Sequence, residues 1–390
     1  MSAQILALWV LAVAASLLVF HFVVYPMLVQ TLARLRPRSR PLAGATNEGE
    51  LPKVTLVIAA YNEEQVIARK LANSLALDYP EELLQIIVVS DGSTDRTHEI
   101  VSEFADQGVV ALHDPPRGGK SAALNRAVAI ASGDIVLFSD ANNDFNAAAV
   151  RMMVRHFGDD RVGGVCGRKS IVAASDRQAS EGDSLYWRYE STIKKAESDL
   201  GIMTTADGEI FAIRRALWRP IPAEVINDDA EITFAMVRDG YRIVYELGAV
   251  SSELASASLE EDFRVKVRMI AGGFQTVQRH WAQLSPPRSA FAWAFLSHKL
   301  LRWLSPLLLV AVLLASVALA GLPLGALLLA AQVLFYGVAM LGWHARRRHK
   351  LPAWQYLPLY FSLMNVAAIL GLRRFLAGDG VTTVWQKAAR

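Results

Sequence analysis

Three apolar runs that each end in carboxylates constrain this chain more than any other feature. VTLVIAA (residues 54–60) runs into Tyr61, Asn62, Glu63 and Glu64. LQIIVVS (84–90) runs into Asp91, Gly92, Ser93, Thr94 and Asp95, and DIVLFS (134–139) into Asp140, Ala141, Asn142, Asn143 and Asp144. Nearly continuous apolar runs of this length are typical of parallel strands covered by helices on both faces. Helix-like segments separate them, so the unit reads β-α-β-α-β with right-handed crossovers. Ligands of such sheets bind in the crevice beyond the carboxyl ends of the strands. Acids recurring at that edge describe a site suited to a nucleotide, a sugar or a metal ion.

Each loop also has a plain structural reading. Asn62 suits the N-cap of a helix over 65–76, with Glu63 and Glu64 in its first turn. Gly92 permits a tight turn and Ser93 or Thr94 a cap, but Asp91 is not needed for capping. A further strand over 109–113 reaches Arg117, Gly118, Gly119 and Lys120. Glycines and a lysine at a helix start can offer N–H groups and charge to phosphates, although the spacing is not that of a Walker loop. Asp140 and its neighbours could hold Mg²⁺ or Mn²⁺ against a diphosphate, because hard cations take oxygen ligands. In the segment 226–233, Asn227 or Asp228 reads as a cap and Asp229 as a first-turn acid, or the same residues as catalytic. Arg264, Lys266 and Arg268 form either a solvated face or a cationic patch around a diphosphate. The single Cys166 reads as a small buried hydrophobe and excludes an internal disulfide framework.

The 53% hydrophobic content is too high for a purely soluble protein, and it is concentrated at the two ends. Residues 5–32 are long and apolar enough to span a bilayer. Arg34, Arg36, Arg38 and Arg40 come at once after them, which puts the succeeding segment on the cytoplasmic side. Residues 34–52 read as a basic linker and 53–284 as the catalytic domain. Residues 285–303 read as an interfacial amphipathic helix, and 304–320 and 324–343 as spans joined by a short turn. Residues 346–350 return the chain to the cytoplasm. The stretch 354–372 is expected to span, or else to lie in the interface so that Arg373 and Arg374 stay inside; a tail runs from 373 to 390. The net charge of +3 identifies no partner.

YNEE, DGSTD, RGGKSAALN, SDAN and NDDAEIT, followed by membrane helices, resemble in their order the membrane-embedded family 2 glycosyltransferases. These include cellulose, hyaluronan, chitin-oligosaccharide and poly-N-acetylglucosamine synthases. The resemblance implies an α/β GT-A fold with a mostly parallel, Rossmann-like sheet, transmembrane helices at both ends, and inverting transfer from a nucleotide sugar, a UDP-sugar first. Position by position it implies that Ala59, Tyr61, Glu63 and Asp91 contact the nucleotide, with Asp91 near the base. Lys120 falls at the sugar or diphosphate, Asp140 and Asn142 at the two ends of the family's D-x-D metal motif, and Asp229 at the general base. Arg268 keeps the Arg of Q-x-x-R-W, whose Gln and Trp are Val265 and Met269 here. That loss favours single transfer to a lipid carrier over processive synthesis, and a catalytically silent export subunit is the reading from another class. The expected partners are the donor, a glycan or lipid-linked acceptor, membrane lipids and possible export proteins, with Mg²⁺ or Mn²⁺ as cofactor and no nucleic acid. The expected location is the inner membrane, with the catalytic domain cytoplasmic.

Overall fold

The computed structural model describes residues 3–36, 51–114, 116–172, 179–254, 258–346 and 351–378, with the backbone alone over 179–186. Arg38, Arg40, Pro115, the basic residues 347–350, most of the linker 34–52 and most of the tail 373–390 lie outside the described residues.

The strands are β1 (Val54–Ala60), β2 (Leu84–Asp91), β3 (Val109–Asp114), β4 (Ile135–Asp140), β5 (Asn143–Phe145), β6 (Val162–Val172), β7 (Phe211–Arg214) and β8 (Arg242–Leu254). They form one sheet in the order β3-β2-β1-β4-β7-β6-β8-β5. β1, β2, β3 and β4 pair in parallel, whereas β7 is antiparallel to both its neighbours. Every residue of β1 is buried, because alternate side chains feed cores on opposite faces. Leu56 and Ile58 pack with Ile67, Leu71 and Val88 on one side. Val57 and Ala59 pack with Leu124, Phe138 and Met236 on the other. In the register, Ala59 faces Val89 on one flank and Asp140 on the other, and Asp91 faces Asp114. Parallel pairing therefore delivers the acids to one edge.

The helices are α1 (Ala3–Val19), α2 (Tyr25–Leu35), α3 (Ile67–Leu75), α4 (Thr97–Ser102), α5 (Lys120–Ala129), α6 (Ala149–Val154), α7 (Ala179–Leu200), α8 (Asp228–Arg238), α9 (Leu259–Arg279), α10 (Trp281–Leu284), α11 (Ala290–Phe295), α12 (Leu301–Ala318), α13 (Pro323–Ala345) and α14 (Ala353–Leu376). Among the described residues, four helices are long and apolar enough to cross a membrane: Ala3–Leu35, Ala290–Ala318, Pro323–Ala345 and Ala353–Leu376. The first and second of these contain π turns, Phe20–Val24 and Leu296–Leu300. Rather than forming a separate interfacial helix, the segment after Ser289 runs on without a break to Ala318. Ser289 caps its start, accepting the N–H of Ala292. The Arg302 carbonyl, which Pro306 cannot satisfy, accepts the Ser305 hydroxyl at 2.7 Å.

α14 packs lengthwise on α9. Leu351 and Tyr356 cluster with Leu259, Gly371 meets Ile270, and Phe375 stacks on Phe274 with ring centroids 6.0 Å apart. It meets the other helices through Phe22, Ser305 and Phe335. It takes no part in the cluster of Ala7, Leu11, Ala315 and Leu319 at the far end of the bundle. Trp354, Leu357, Val366, Ile369 and Leu376 are exposed along it.

Candidate active site

The first two acidic loops are knitted to each other. Asn62 adopts a left-handed conformation, φ 53°, and caps no helix, since α3 begins five residues later. Its side chain instead accepts the Thr94 N–H at 2.8 Å, and its own N–H donates to Ser93. The N–H of Glu63 donates to Thr97 Oγ1, and that of Glu64 to Asp95. Asp95, not Ser93 or Thr94, accepts the first N–H of α4. Gly92 has φ +65°, and a Cβ there would stand 2.9 Å from the Arg117 nitrogen, so the next loop can close over it. Arg117 completes that closure by lying 3.6 Å over the Tyr61 ring.

Asp91, expected beside a base, is only 1% exposed. Its carboxylate accepts the N–H groups of Gly118 and Gly119 at 3.1 and 2.7 Å, and an Arg126 N–H at 2.7 Å. The glycine N–H groups that could have served a phosphate are thus committed to Asp91, because the loop folds back onto the end of β2. Asp91 anchors the loop that presents Lys120 rather than facing the cavity itself. Ala59 and Glu63 are likewise buried.

Lys120, Asp140, Asp228, Asp229 and Arg268 line one cavity of about 1350 Å³. The Lys120 ammonium lies 2.9 Å from Asp140 and 3.6 Å from Asp228. Burial pulls the Lys120 pKa down, but Asp140 and Asp228 outweigh it, and the net shift is upward. Asn227 is not spent on capping α8 either: its amide donates to the Met269 carbonyl, tying α8 to α9. Asp229 Oδ1 accepts the N–H of Ala230 at 2.7 Å. Burial, then the charge of Asp228, pushes its pKa up from 3.8 to about 7 against the opposing pull of Lys120. Ala59, Tyr61, Glu63, Asp91 and Asn142 do not line this cavity. The Asn142 carbonyl receives Arg69.

Several cavity residues carried no role in the sequence. Lys194 pairs with Asp207 at 2.5 Å, and the Asp207 N–H donates to Cys166 Sγ at 3.1 Å. The thiol is buried, and burial pushes its pKa well up, in keeping with an inert core residue. Lys169 bridges Glu209 and Glu253. Asn143, named in the sequence only as a neighbour of Asp140, lies outside the cavity lining; it is fully buried and bonds Lys70, Ser139, the Glu209 carbonyl and Ser251. From α7, Glu190 reaches Lys299 and, at 2.8 Å, Arg302 of the membrane helix. The cavity continues past these residues between the membrane helices, where Leu309, Val312, Leu328, Phe335, Phe361 and Met364 line it.

Residues 55–219 match the family model described as Glycosyl transferase family 2. The chain carries a family 2 glycosyltransferase domain. Over 251 residues it is 31% identical to a probable glycosyltransferase of Bacillus subtilis, covering 61% of this chain and 59% of that protein. It is 28% identical over 244 residues to a β-monoglucosyldiacylglycerol synthase of Nostoc, covering 60% of this chain and 52% of that protein. It is also 28% identical over 238 residues to a poly-β-1,6-N-acetyl-D-glucosamine synthase of Staphylococcus aureus, covering 60% and 57%. The chain thus spans between half and three fifths of the length of these relatives. A mannosyltransferase from Pyrobaculum calidifontis, solved with GDP-Man and Mn²⁺, superposes over 95% of this chain and 99% of its own, with a TM-score of 0.70 and 23% identity. That likeness is one of fold. It gives the glycosyltransferase domain the GT-A architecture and extends over the membrane helices.

Proposed function

We propose that the chain transfers a sugar from a nucleotide sugar, a UDP-sugar first, with inversion, to an acceptor that enters from the bilayer. The supporting observation is the single cavity that holds Lys120, Asp140, Asp229 and Arg268 and continues between apolar membrane helices. The Pyrobaculum mannosyltransferase was solved with a nucleotide sugar and Mn²⁺, which supports the donor class and the cofactor. The nucleotide lies along the β1 and β2 ends beside Tyr61, with Ala59, Glu63 and Asp91 supporting that edge from behind. Asp140, with Asn142 as the second position of the motif, is the side chain for Mg²⁺ or Mn²⁺. The donor set fits a cation, since two carboxylates already converge on the Lys120 ammonium. Such a cation, when bound, stabilises charge on the departing diphosphate. Arg268 and Lys120 stabilise the same charge. Asp229 takes the proton of the acceptor hydroxyl as that oxygen attacks the anomeric carbon, and holding the two in line supplies much of the remaining acceleration.

The extension between the helices is mostly apolar, with Ser305, Gln332, Tyr336 and Asn365 as its polar points. That lining suits a lipid-tailed acceptor better than a glycan chain, whose hydroxyls need partners along its whole length. The Nostoc relative is named for a lipid product and the Staphylococcus relative for a polymer. Filling the groove with Val312→Trp should raise the acceptor KM by about tenfold or more while leaving donor binding unchanged. Equal acceptor KM in the two proteins would remove the tail from this groove. The catalytic domain sits on the cytoplasmic face of the inner membrane, and α14 lies in the interface alongside the charged α9, keeping Arg373 and Arg374 inside.

A screen of UDP-sugars with Mg²⁺ or Mn²⁺, scored by UDP release from the full chain in detergent, tests the reading. Absence of release on every donor, with the protein folded, would sink it. The pH dependence adds a sharper check. A base must be unprotonated, and the Asp229 pKa is raised to about 7. The acid limb of kcat/KM, which reports the free protein, should therefore lie near pH 7, with activity present above it and lost roughly tenfold per unit below it. Because Asp228 is one cause of the shift, Asp228→Asn should move the acid limb of kcat/KM to lower pH, whatever it does to the rate at the plateau. A limb that stays in place would assign it to another group.

A further inference from the structure

The D-x-D motif is incomplete in this chain, because its second position is the neutral Asn142, which stands outside the cavity lining. Asp228 does line the cavity and is 9% exposed. It comes from α8, nearly ninety residues away in sequence, yet it faces the same point as Asp140. Asp140 Oδ1 and Asp228 Oδ2 lie 2.9 and 3.6 Å from one ammonium, that of Lys120. Gly208 closes another side: a Cβ there would come 3.5 Å from Asp228 Oδ2 and 3.7 Å from Lys120 Nζ. The arrangement is a cation cradle already holding a cation that belongs to the protein.

We propose that Asp228 supplies the second carboxylate of a divalent-cation site with Asp140, and that the Lys120 ammonium holds this site until a nucleotide diphosphate draws it away. Lys120 is built for such a move. Its main chain is fixed, since it follows Gly119 (φ +87°) and the N–H groups of Gly118 and Gly119 are held by Asp91. Its four-carbon stem ends in a point charge with no fixed plane, free to re-aim by rotamer changes. A dication and an ammonium cannot share two carboxylates without strong repulsion. A diphosphate on the Arg268 side of the cavity offers the ammonium another partner. Metal and nucleotide therefore bind together rather than singly, and by linkage each strengthens the other by the same factor. The inference rests on the transferase reading only for the choice of nucleotide.

The test is Mn²⁺ binding to the full chain in detergent, followed by the electron paramagnetic resonance of free Mn²⁺, without and with UDP. Without UDP, Lys120→Met should bind Mn²⁺ at least about tenfold more tightly than wild type, because the competing charge is gone. Lys120→Arg, which keeps the charge, should stay within about threefold of wild type. UDP should tighten Mn²⁺ binding in wild type and much less in Lys120→Met. Adding Asp140→Asn or Asp228→Asn to Lys120→Met should abolish the gain. Lys120→Gln is read in the same way if the Met variant does not fold. Neutral variants that bind Mn²⁺ no better than wild type, or a gain that survives Asp228→Asn, would overturn the proposal. Failure of every UDP-sugar to turn over would count against the transferase reading alone, because the nucleotide-free comparison does not depend on it.

Discussion

Replacing Asp229 by Asn is expected to slow sugar transfer by about 10²–10⁴-fold, the range associated with removing a general base. The amide keeps the shape and can still accept the Ala230 N–H, so α8 should start as before. UDP affinity should change little, because Lys120, Asp140 and Arg268 remain. The loss should therefore fall on kcat rather than on the donor KM. The acidic limb near pH 7 should vanish from whatever activity is left, since its group is gone. The variant is informative because Asp228 stands beside it. Equal losses of UDP binding and rate would indicate that the two acids act as a single electrostatic unit. A rate equal to wild type would move the base elsewhere.

A second large effect is expected at the junction between the catalytic domain and the membrane helices. Glu190 is 1% exposed. It is bonded to Lys299 and Arg302 and lies 3.3 Å from His298. Burial raises its pKa, but Arg302 and Lys299 more than reverse this and hold it well below the ordinary range. Nearby Glu197 accepts the Tyr25 hydroxyl at 2.6 Å, lies 2.7 Å from His298, and accepts from Thr204. These two acids of α7 thus tie both membrane segments that carry π turns to the catalytic domain. Removing one member of a buried ion pair leaves the other uncompensated, at a cost of about 3–5 kcal/mol. Glu190→Gln should lower the melting temperature in detergent by on the order of 5–10 °C. Pairing it with Lys299→Met should recover part of the loss, because the stranded charge is removed as well. An unchanged melting temperature in Glu190→Gln would show that the network contributes specificity without stability.

The range of each interaction decided whether the sequence could reveal it. The parallel strands were legible because burial on both faces leaves a continuous apolar run, and parallel pairing then puts Asp91, Asp140 and the acids after β1 on one edge. The roles of individual acids were less legible. Asn62 has the composition of a cap but a left-handed backbone that turns its amide to Thr94, and no local pattern distinguishes the two. Asp91 is spent on the N–H groups of Gly118 and Gly119, a contact made only once the β3–α5 loop has folded back. Asp228 was visible in NDDAEIT, but its approach to Lys120 joins positions 108 residues apart. The same holds for Glu190 with Lys299 and Arg302, which fall in the segment read as an interfacial helix more than a hundred residues away. Length and hydropathy made α14 a candidate span; only its lengthwise packing on the charged α9 adds the position of Arg374 at the cavity.

The most direct measurement is a structure of the full chain in lipid with UDP and Mn²⁺. The predicted result places the diphosphate between Lys120 and Arg268 beside Asp140, with the open side of the site toward Asp229. A nucleotide seated on another edge of the sheet, or one whose diphosphate points away from Asp229, would contradict it.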